Sequence, residues 1–207
     1  MQRKFFHGLA VLMFVPGEVL APSFLRLSYS IAFALLVVAE LARMACIEPV
    51  AGALNKFNGQ YLDARDRGSM VLSHLYLLLG CAIPAWIGGG STGSLAPYAG
   101  VLVLGVGDAM ASIAGRIYGK NKWGTSNKSI EGTTAAVVST IVAAAFLVMG
   151  VATNRAPSWR LWVQLIIATL QVCLLEAFTT QNDNLYLPIW WYSNMQTIRV
   201  CLDWLAP

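Results

Sequence analysis

Charge is scarce in this sequence. Of its 207 residues only 12% are Asp, Glu, Lys or Arg, and only two are histidine. Soluble domains carry about 25% charged residues, so an ordinary soluble domain is disfavoured. A disordered chain, which needs low hydrophobicity, is excluded. Cysteine is sparse as well. Cys46, Cys81, Cys173 and Cys201 stand far apart with no CxxC pair, so neither a zinc site nor a disulfide framework is indicated. They read as apolar thiols in helices. A cleaved signal peptide is not expected. Arg3-Lys4 looks like its basic start, but no A-x-A-like site follows and apolar blocks continue to the end. Two nucleotide motifs are missing. Gly115-Arg-Ile-Tyr-Gly119-Lys120-Asn121 lacks the spacing and the Ser/Thr of a P-loop. Gly105-Val-Gly107-Asp-Ala-Met110 ends in Met where a dinucleotide fingerprint wants Gly. The net charge of +4 is too small to argue for a nucleic-acid partner.

What the chain has is apolar residues, 57% of the total, with a mean hydropathy of +0.61. A helix needs about 20 mostly apolar residues to cross a bilayer. Seven apolar blocks follow one another: Phe5–Leu20 (ended by Pro16-Gly17 and Pro22), Phe24–Cys46, Met70–Ile87, Leu95–Tyr118, Gly132–Thr153, Trp159–Phe178 and Leu185–Leu205. Strict alternation is absent, which favours helices over a barrel. The expected fold is all-α: a polytopic membrane helix bundle of about six to seven transmembrane helices. Residues 1–207 form one membrane-embedded catalytic domain, with cytosolic loops at about 46–69, 119–131 and 179–184. Trp159, Trp162, Trp190, Trp191 and Trp204 read as interfacial anchors.

The few charges are placed unevenly. Arg3, Lys4, Arg43, Lys56, Arg65, Arg67, Arg116, Lys120, Lys122 and Lys128 fall on one side, ten of the fourteen basic residues. The positive-inside rule makes that side cytosolic. Asp63, Asp66, Asp108, Glu131, Glu176 and Asp183 fall on the same side. Glu40 and Arg43, spaced i,i+3, can pair near the end of the second block. Acids and bases collected at one membrane face suit a site for an anionic, metal-bound substrate.

The segment from Gly105 to Gly132 is the richest. Asp108 stands among apolar residues, and an acid there costs about 2.5–3.5 kcal/mol on insertion scales, so a function is expected of it. Ala111, Gly115 and Gly119 follow at spacing four, a smooth strip for close approach. The loop beyond carries Arg116, Lys120, Lys122 and Lys128 and reaches Glu131-Gly-Thr-Thr at a helix start. Helix amides with Lys and Arg would cradle a polyphosphate. A nearby carboxylate would hold Mg²⁺, which takes one or two carboxylates plus phosphate oxygens.

These residues resemble a known family. Gly107-Asp108…Gly115…Gly119…Lys128-Ser-Ile-Glu131-Gly132 resembles the signature of CTP-using membrane enzymes: dolichol kinases, CTP-dependent phytol and diacylglycerol kinases, and phosphatidate cytidylyltransferases. Arg3-Lys4-Phe-Phe-His7 is similar to the RKxxH opening of the lipid-kinase branch. Leu62-Asp-Ala-Arg-Asp-Arg-Gly68 running into Ser73-His-Leu-Tyr-Leu-Leu-Leu-Gly80, and Glu176-Ala-Phe-Thr-Thr-Gln-Asn-Asp183-Asn-Leu-Tyr-Leu-Pro188, look specifically like dolichol kinase. The likeness covers nearly the whole chain in order. It implies the C-terminal catalytic part of longer enzymes, as a short form or a fragment.

The resemblance implies transfer of the γ-phosphoryl of CTP to the terminal hydroxyl of dolichol, giving dolichyl phosphate and CDP for protein glycosylation. It places the enzyme in the endoplasmic reticulum membrane with the active site facing the cytosol. Asp108 and Asp183 are the expected Mg²⁺ ligands, with Glu131 as a third. Gly115, Arg116, Gly119, Lys120, Lys122, Trp123, Thr125, Ser126, Asn127, Lys128 and Ser129 form the expected CTP site, with Trp123 stacking on cytosine. The base for the hydroxyl proton is open among Asp66, Asp63 and His74. For His74 and for His7 a hydrogen-bonded structural histidine stands beside the functional reading, and Glu176 reads as a partner of the ligating groups. The chain departs from the family at the basic loop. Asn127 replaces the first of two lysines, Ser129 the threonine and Ile130 the aromatic, and Lys120 or Lys122 stands in for the missing charge. Three other readings stay open: cytidylyl transfer, an ion channel or transporter with Asp108 on its path, and an inactive structural subunit.

Overall fold

The computed structural model describes residues 2–61, 70–89, 95–124, 126–151, 158–179 and 183–204. Eight α-helices run in chain order: α1 (Gln2–Leu20), α2 (Pro22–Met44), α3 (Val50–Tyr61), α4 (Ser73–Gly88), α5 (Ala109–Ile117), α6 (Ile130–Val151), α7 (Trp159–Phe178) and α8 (Asp183–Trp204). A 3-10 turn, Ala96–Tyr98, and a π-helical segment, Val101–Asp108, lead into α5. Among the described residues there is no strand, only an isolated antiparallel bridge between Lys122 and Ser129. The all-α expectation holds.

Apolar side chains dominate both faces of most helices, so burial and lipid exposure share them. One core gathers Leu102 and Leu104 of the π segment, Ala144 of α6, Leu165 and Val172 of α7, and Leu187 and Trp191 of α8. A second joins α2 and α4 through Leu25, Tyr29, Leu78 and Ala82, with Phe14 of α1 packed on it. The outward residues of α2 and α6, such as Phe24, Leu35, Val138 and Phe146, are exposed and apolar, as a lipid-facing surface requires. Pro22–Met44, Ile130–Gly150 and Trp159–Phe178 are long and apolar enough to cross a membrane, and Phe6–Leu20 and Ser73–Gly88 are shorter apolar helices.

Four details differ from the expectations. Proline does not end the first block, because α1 runs through Pro16 to Leu20. The polar stretch after Cys46 contains α3, a helix of 12 residues packed on α2. The expected loop at 179–184 is shorter, since α8 begins at Asp183. Trp191 is not an interfacial anchor. It is fully buried between α7 and α8, and its indole donates to Thr169 Oγ1 at 3.1 Å. A buried indole needs such a partner. Trp159, Trp190 and Trp204 are exposed.

Short-range chemistry sets the helix ends. Glu40 accepts two bonds from Arg43, at 2.7 and 2.9 Å, and one from the Val71 amide at 2.6 Å. This ties the end of α2 to the approach to α4. Helix α2 stops in a Schellman arrangement: Cys46 donates its amide to Arg43 O at 3.1 Å and Ile47 to Ala42 O at 3.0 Å. That closure needs a left-handed residue, a place where glycine is preferred, and Cys46 takes φ +54°. Left-handed geometry costs an L-residue about 1–2 kcal/mol, and glycine gives back about 0.5–1 kcal/mol of chain entropy. Cys46→Gly is therefore expected to raise stability by about 0.5–1 kcal/mol, read as a higher unfolding midpoint in detergent. A lower midpoint would contradict the strain assigned to this turn.

Candidate active site

The first turns of α1, the π segment, the α5–α6 connection, the end of α7 and the start of α8 meet at one end of the bundle. Glycines allow the approach. A Cβ at Gly105 would strike Val11 of α1 and sit 3.4 Å from His7 O, so α1 lies directly on the π segment. Within reach of that contact, His7 Nε2 stands 3.3 Å from Asp108 Oδ2 and 3.4 Å from Asn184 Oδ1. The imidazole is only 2% exposed and the Asp108 side chain 14%. π-Helical turns are uncommon and recur at functional sites. This one ends on Asp108. His7 is thus the link between Asp108 and α8. Asn184 was not singled out at all, although it sits inside the Asp183-Asn184-Leu-Tyr segment that carried the family likeness.

The basic connection folds back on itself. Trp123 N donates to Lys128 O at 3.1 Å and Ile130 N to Asn121 O at 2.9 Å, with Gly124 at φ +47° in the turn. Three contacts clamp it to the end of α7. Ser126 Oγ donates to Ala177 O at 2.8 Å, Lys128 Nζ pairs with Glu176 Oε1 at 2.9 Å, and the Trp123 ring meets Phe178 edge-on at 5.4 Å. Trp123 also donates its indole N–H to Thr133 Oγ1 at 2.9 Å. Its ring is therefore held from two helices.

Ser129 does two jobs. Its Oγ accepts the Gly132 amide at 3.1 Å, which makes it the N-cap of α6. The same oxygen lies 3.0 Å from where a Gly115 Cβ would stand and 2.8 Å from a Gly119 Cβ, so both glycines are needed for α5 to close on α6. Glu131 is held by Asn121, through the backbone N–H at 3.1 Å and Nδ2 at 2.9 Å. An acid in the first helical turn also suits the helix dipole. The amides of Ile130 and Gly132 are thus taken by the chain itself, where a phosphate cradle had been expected. Lys120, Lys122 and Asn127 remain exposed at the surface of this connection, and Arg116, expected in the loop, is exposed in the last turn of α5.

The antiparallel α5–α6 pair sets a depth scale. Gly115 faces Gly132, and Gly107 faces Thr140. Asp108 therefore lies about eight residues of α6, or ~12 Å, from the level of Glu131. Mg²⁺ binds oxygens at about 2.0–2.1 Å, so in this arrangement Glu131 and Asp108 do not share one ion. Asp183 opens α8 beside Asn184, and its side chain lies outside the described residues, as do Asp63, Asp66 and Thr125. His74 begins α4 and packs between the rings of Phe6 (6.1 Å) and Phe57 (6.2 Å), one residue along α1 from His7.

The Lys128–Glu176 pair gives a test of the loop clamp. Glu176 is 9% exposed and Lys128 36%. Removing Lys128 leaves a buried carboxylate short of a partner, a loss of about 1–3 kcal/mol. Removing the Glu176 charge leaves a lysine that reaches water. Lys128→Met should lower thermal stability more than Glu176→Gln, and adding Glu176→Gln to Lys128→Met should restore part of the loss. A double variant less stable than Lys128→Met would show that the pair does not hold the loop.

Comparison with known proteins agrees with the sequence signature. The chain is 40% identical over 193 residues to the dolichol kinase EVAN of Arabidopsis thaliana, covering 92% of this chain and 34% of that protein. It is 36% identical over 201 residues to dolichol kinase of Homo sapiens, covering 91% of this chain and 36% of the relative. It is 38% identical over 203 residues to dolichol kinase sec59 of Schizosaccharomyces pombe, covering 95% of this chain and 39% of the relative. The chain spans little more than a third of the length of each. No family model matches, and no solved structure matches. Over more than nine-tenths of its own length, the chain is similar to dolichol kinases from a plant, an animal and a yeast.

Proposed function

We propose that this chain is the phosphoryl-transfer core of a CTP-dependent dolichol kinase. It would move the γ-phosphoryl of CTP to the terminal hydroxyl of dolichol, giving dolichyl phosphate and CDP for protein glycosylation. The observation that carries the reading is the meeting of Asp108 and the start of α8 at His7, 3.3 Å and 3.4 Å from the two side chains. Both segments carry acids of the family resemblance, Asp108 and Asp183. The kinship with dolichol kinases over more than nine-tenths of the chain supports the same substrate class.

Phosphoryl transfer asks mainly for positioning and charge stabilisation. Asp108, the Asn184 amide oxygen and Asp183 supply hard oxygen donors, the type Mg²⁺ prefers, and they are the residues that would hold it. Bound there, Mg²⁺ would supply positive charge to offset the negative charge developing on the transferred phosphoryl group. Arg116 in the last turn of α5 and Lys120 and Lys122 on the connection, all exposed, would draw the triphosphate toward Asp108, with Lys128 reaching phosphate when it leaves Glu176. The attacking hydroxyl forms a bond to the γ-phosphorus while the bond to the β-phosphate oxygen breaks. Its proton passes to a base near the α1–α4 contact, where His74 stands, or to Asp63 or Asp66.

Placement follows from the substrates. CTP is an anion in water and dolichol lies in lipid, so the site must open to both. Six to seven crossings, with the basic connection on the cytosolic side of the endoplasmic reticulum membrane, fit the excess of Lys and Arg at that end. Incubation of the purified chain with γ-labelled CTP, Mg²⁺ and dolichol tests the reading. Label should pass to the lipid with release of CDP, and Asp108→Asn should reduce turnover at least about a hundredfold while remaining folded. Release of pyrophosphate would replace the kinase with a cytidylyltransferase. Undiminished turnover in Asp108→Asn would remove the metal role.

A further inference from the structure

One polar group near Asp108 has no task in the reading above. Thr140, in the middle of α6, is 1% exposed, and its hydroxyl oxygen has no hydrogen-bond partner. A buried hydroxyl left in that state is uncommon and calls for a reason. A helical threonine normally returns its proton to the carbonyl four residues back. Here that carbonyl, Ala136 O, already accepts from Ser139 Oγ at 3.2 Å. The hydroxyl points the other way, onto the π segment, where it lies 2.8 Å from the position a Gly107 Cβ would take. Gly107 has no side chain, so the Thr140 hydroxyl lies directly against the backbone next to Asp108. Along the buried face of α6, Gly132, Ala136, Thr140 and Ala144 succeed one another every four residues. Thr140 is the one member of that row with a polar side chain, and it stands at the level of Asp108.

We propose that Thr140 is a positioning residue for Asp108: its hydroxyl donates to the Asp108 carboxylate once nucleotide and divalent ion draw that carboxylate away from His7. Asp108 then has a partner in each state, His7 Nε2 at 3.3 Å on the α1 side and Thr140 on the α6 side. Gly107, without a side chain, lets the Thr140 hydroxyl approach the backbone that carries the carboxylate. A group that orients a ligating carboxylate from behind affects metal affinity or turnover by about 10–100-fold when lost. The proposal rests on the kinase reading and adds to it a residue that the family signature does not contain.

The test compares wild type with Thr140→Val, Thr140→Ser and Thr140→Ala, each purified in the same detergent. Without ligand the hydroxyl makes no bond, so Thr140→Val should unfold at the wild-type temperature or above. With Mg²⁺ and CTP, the rise in unfolding temperature seen for wild type should shrink in Thr140→Val and Thr140→Ala and survive in Thr140→Ser. Turnover of dolichol should fall about tenfold or more in Thr140→Val, and Thr140→Ser should rescue it. Thr140→Ala gives the same readings if the valine variant does not fold. A ligand-induced shift and a turnover in Thr140→Val equal to wild type would overturn the proposal. A wild-type protein that shows neither shift nor turnover would instead overturn the kinase reading.

Discussion

The site depends on how closely the helices approach, and backbone sets that distance. A Cβ at Gly80 in α4 would collide with the Asn184 carbonyl of α8 and come 3.0 Å from Leu104. One at Gly105 would collide with Val11 of α1. With hydrogen in those places, α1, α4, α8 and the π segment pack at backbone contact. In lipid no hydrophobic force drives helices together, so close van der Waals contact and interhelical hydrogen bonds must do it. His7, Asp108 and Asn184 then meet because the helices that carry them have nowhere else to put these polar groups. Three side chains separated by up to 177 positions share one small volume.

The polar ends of the helices are closed with unusual thoroughness for so apolar a chain. Ser129 caps α6, Glu131 holds Asn121, and Glu40 gathers Arg43 and the Val71 amide. Each closure lies at or beside a helix end, where a free amide or carboxylate would cost most if buried. The consequence for chemistry is a division of labour. Glu131 and Ser129, which carry the family signature, shape the connection. The groups left exposed to reach an anion are Arg116, Lys120 and Lys122. Residues of a signature can therefore build a connection, and motif matching does not show which of them do so.

Much of the architecture is legible in the sequence because lipid imposes a simple rule. Blocks of apolar residues must be helices, and the blocks at 24–46, 132–153 and 159–178 correspond to α2, α6 and α7 within a few residues. Asp108 is legible for the same reason, as an acid where acids are expensive. Helix α3 is not legible, because its Asn- and Gly-containing segment looks like a loop and gains its helix by packing on α2. Trp191 was misread because a tryptophan near a chain end resembles an interfacial anchor, and only the Thr169 hydroxyl opposite it makes burial tolerable. The role of His7 was hidden by distance along the chain.

The sequence by itself determined that this is an apolar, all-helical chain similar to dolichol kinases, with its acids and bases at one end. Composition, block length and motif order carry that information, and each is local. Tertiary structure alone decided which of those residues meet. It joined His7 to Asp108 and Asn184, set Glu131 on another level, bound Lys128 to Glu176 and turned the Thr140 hydroxyl toward Gly107. The physical reason is that glycine positions and the widened π turn set helix separation and rotation. Both are properties of packed pairs that no single segment expresses.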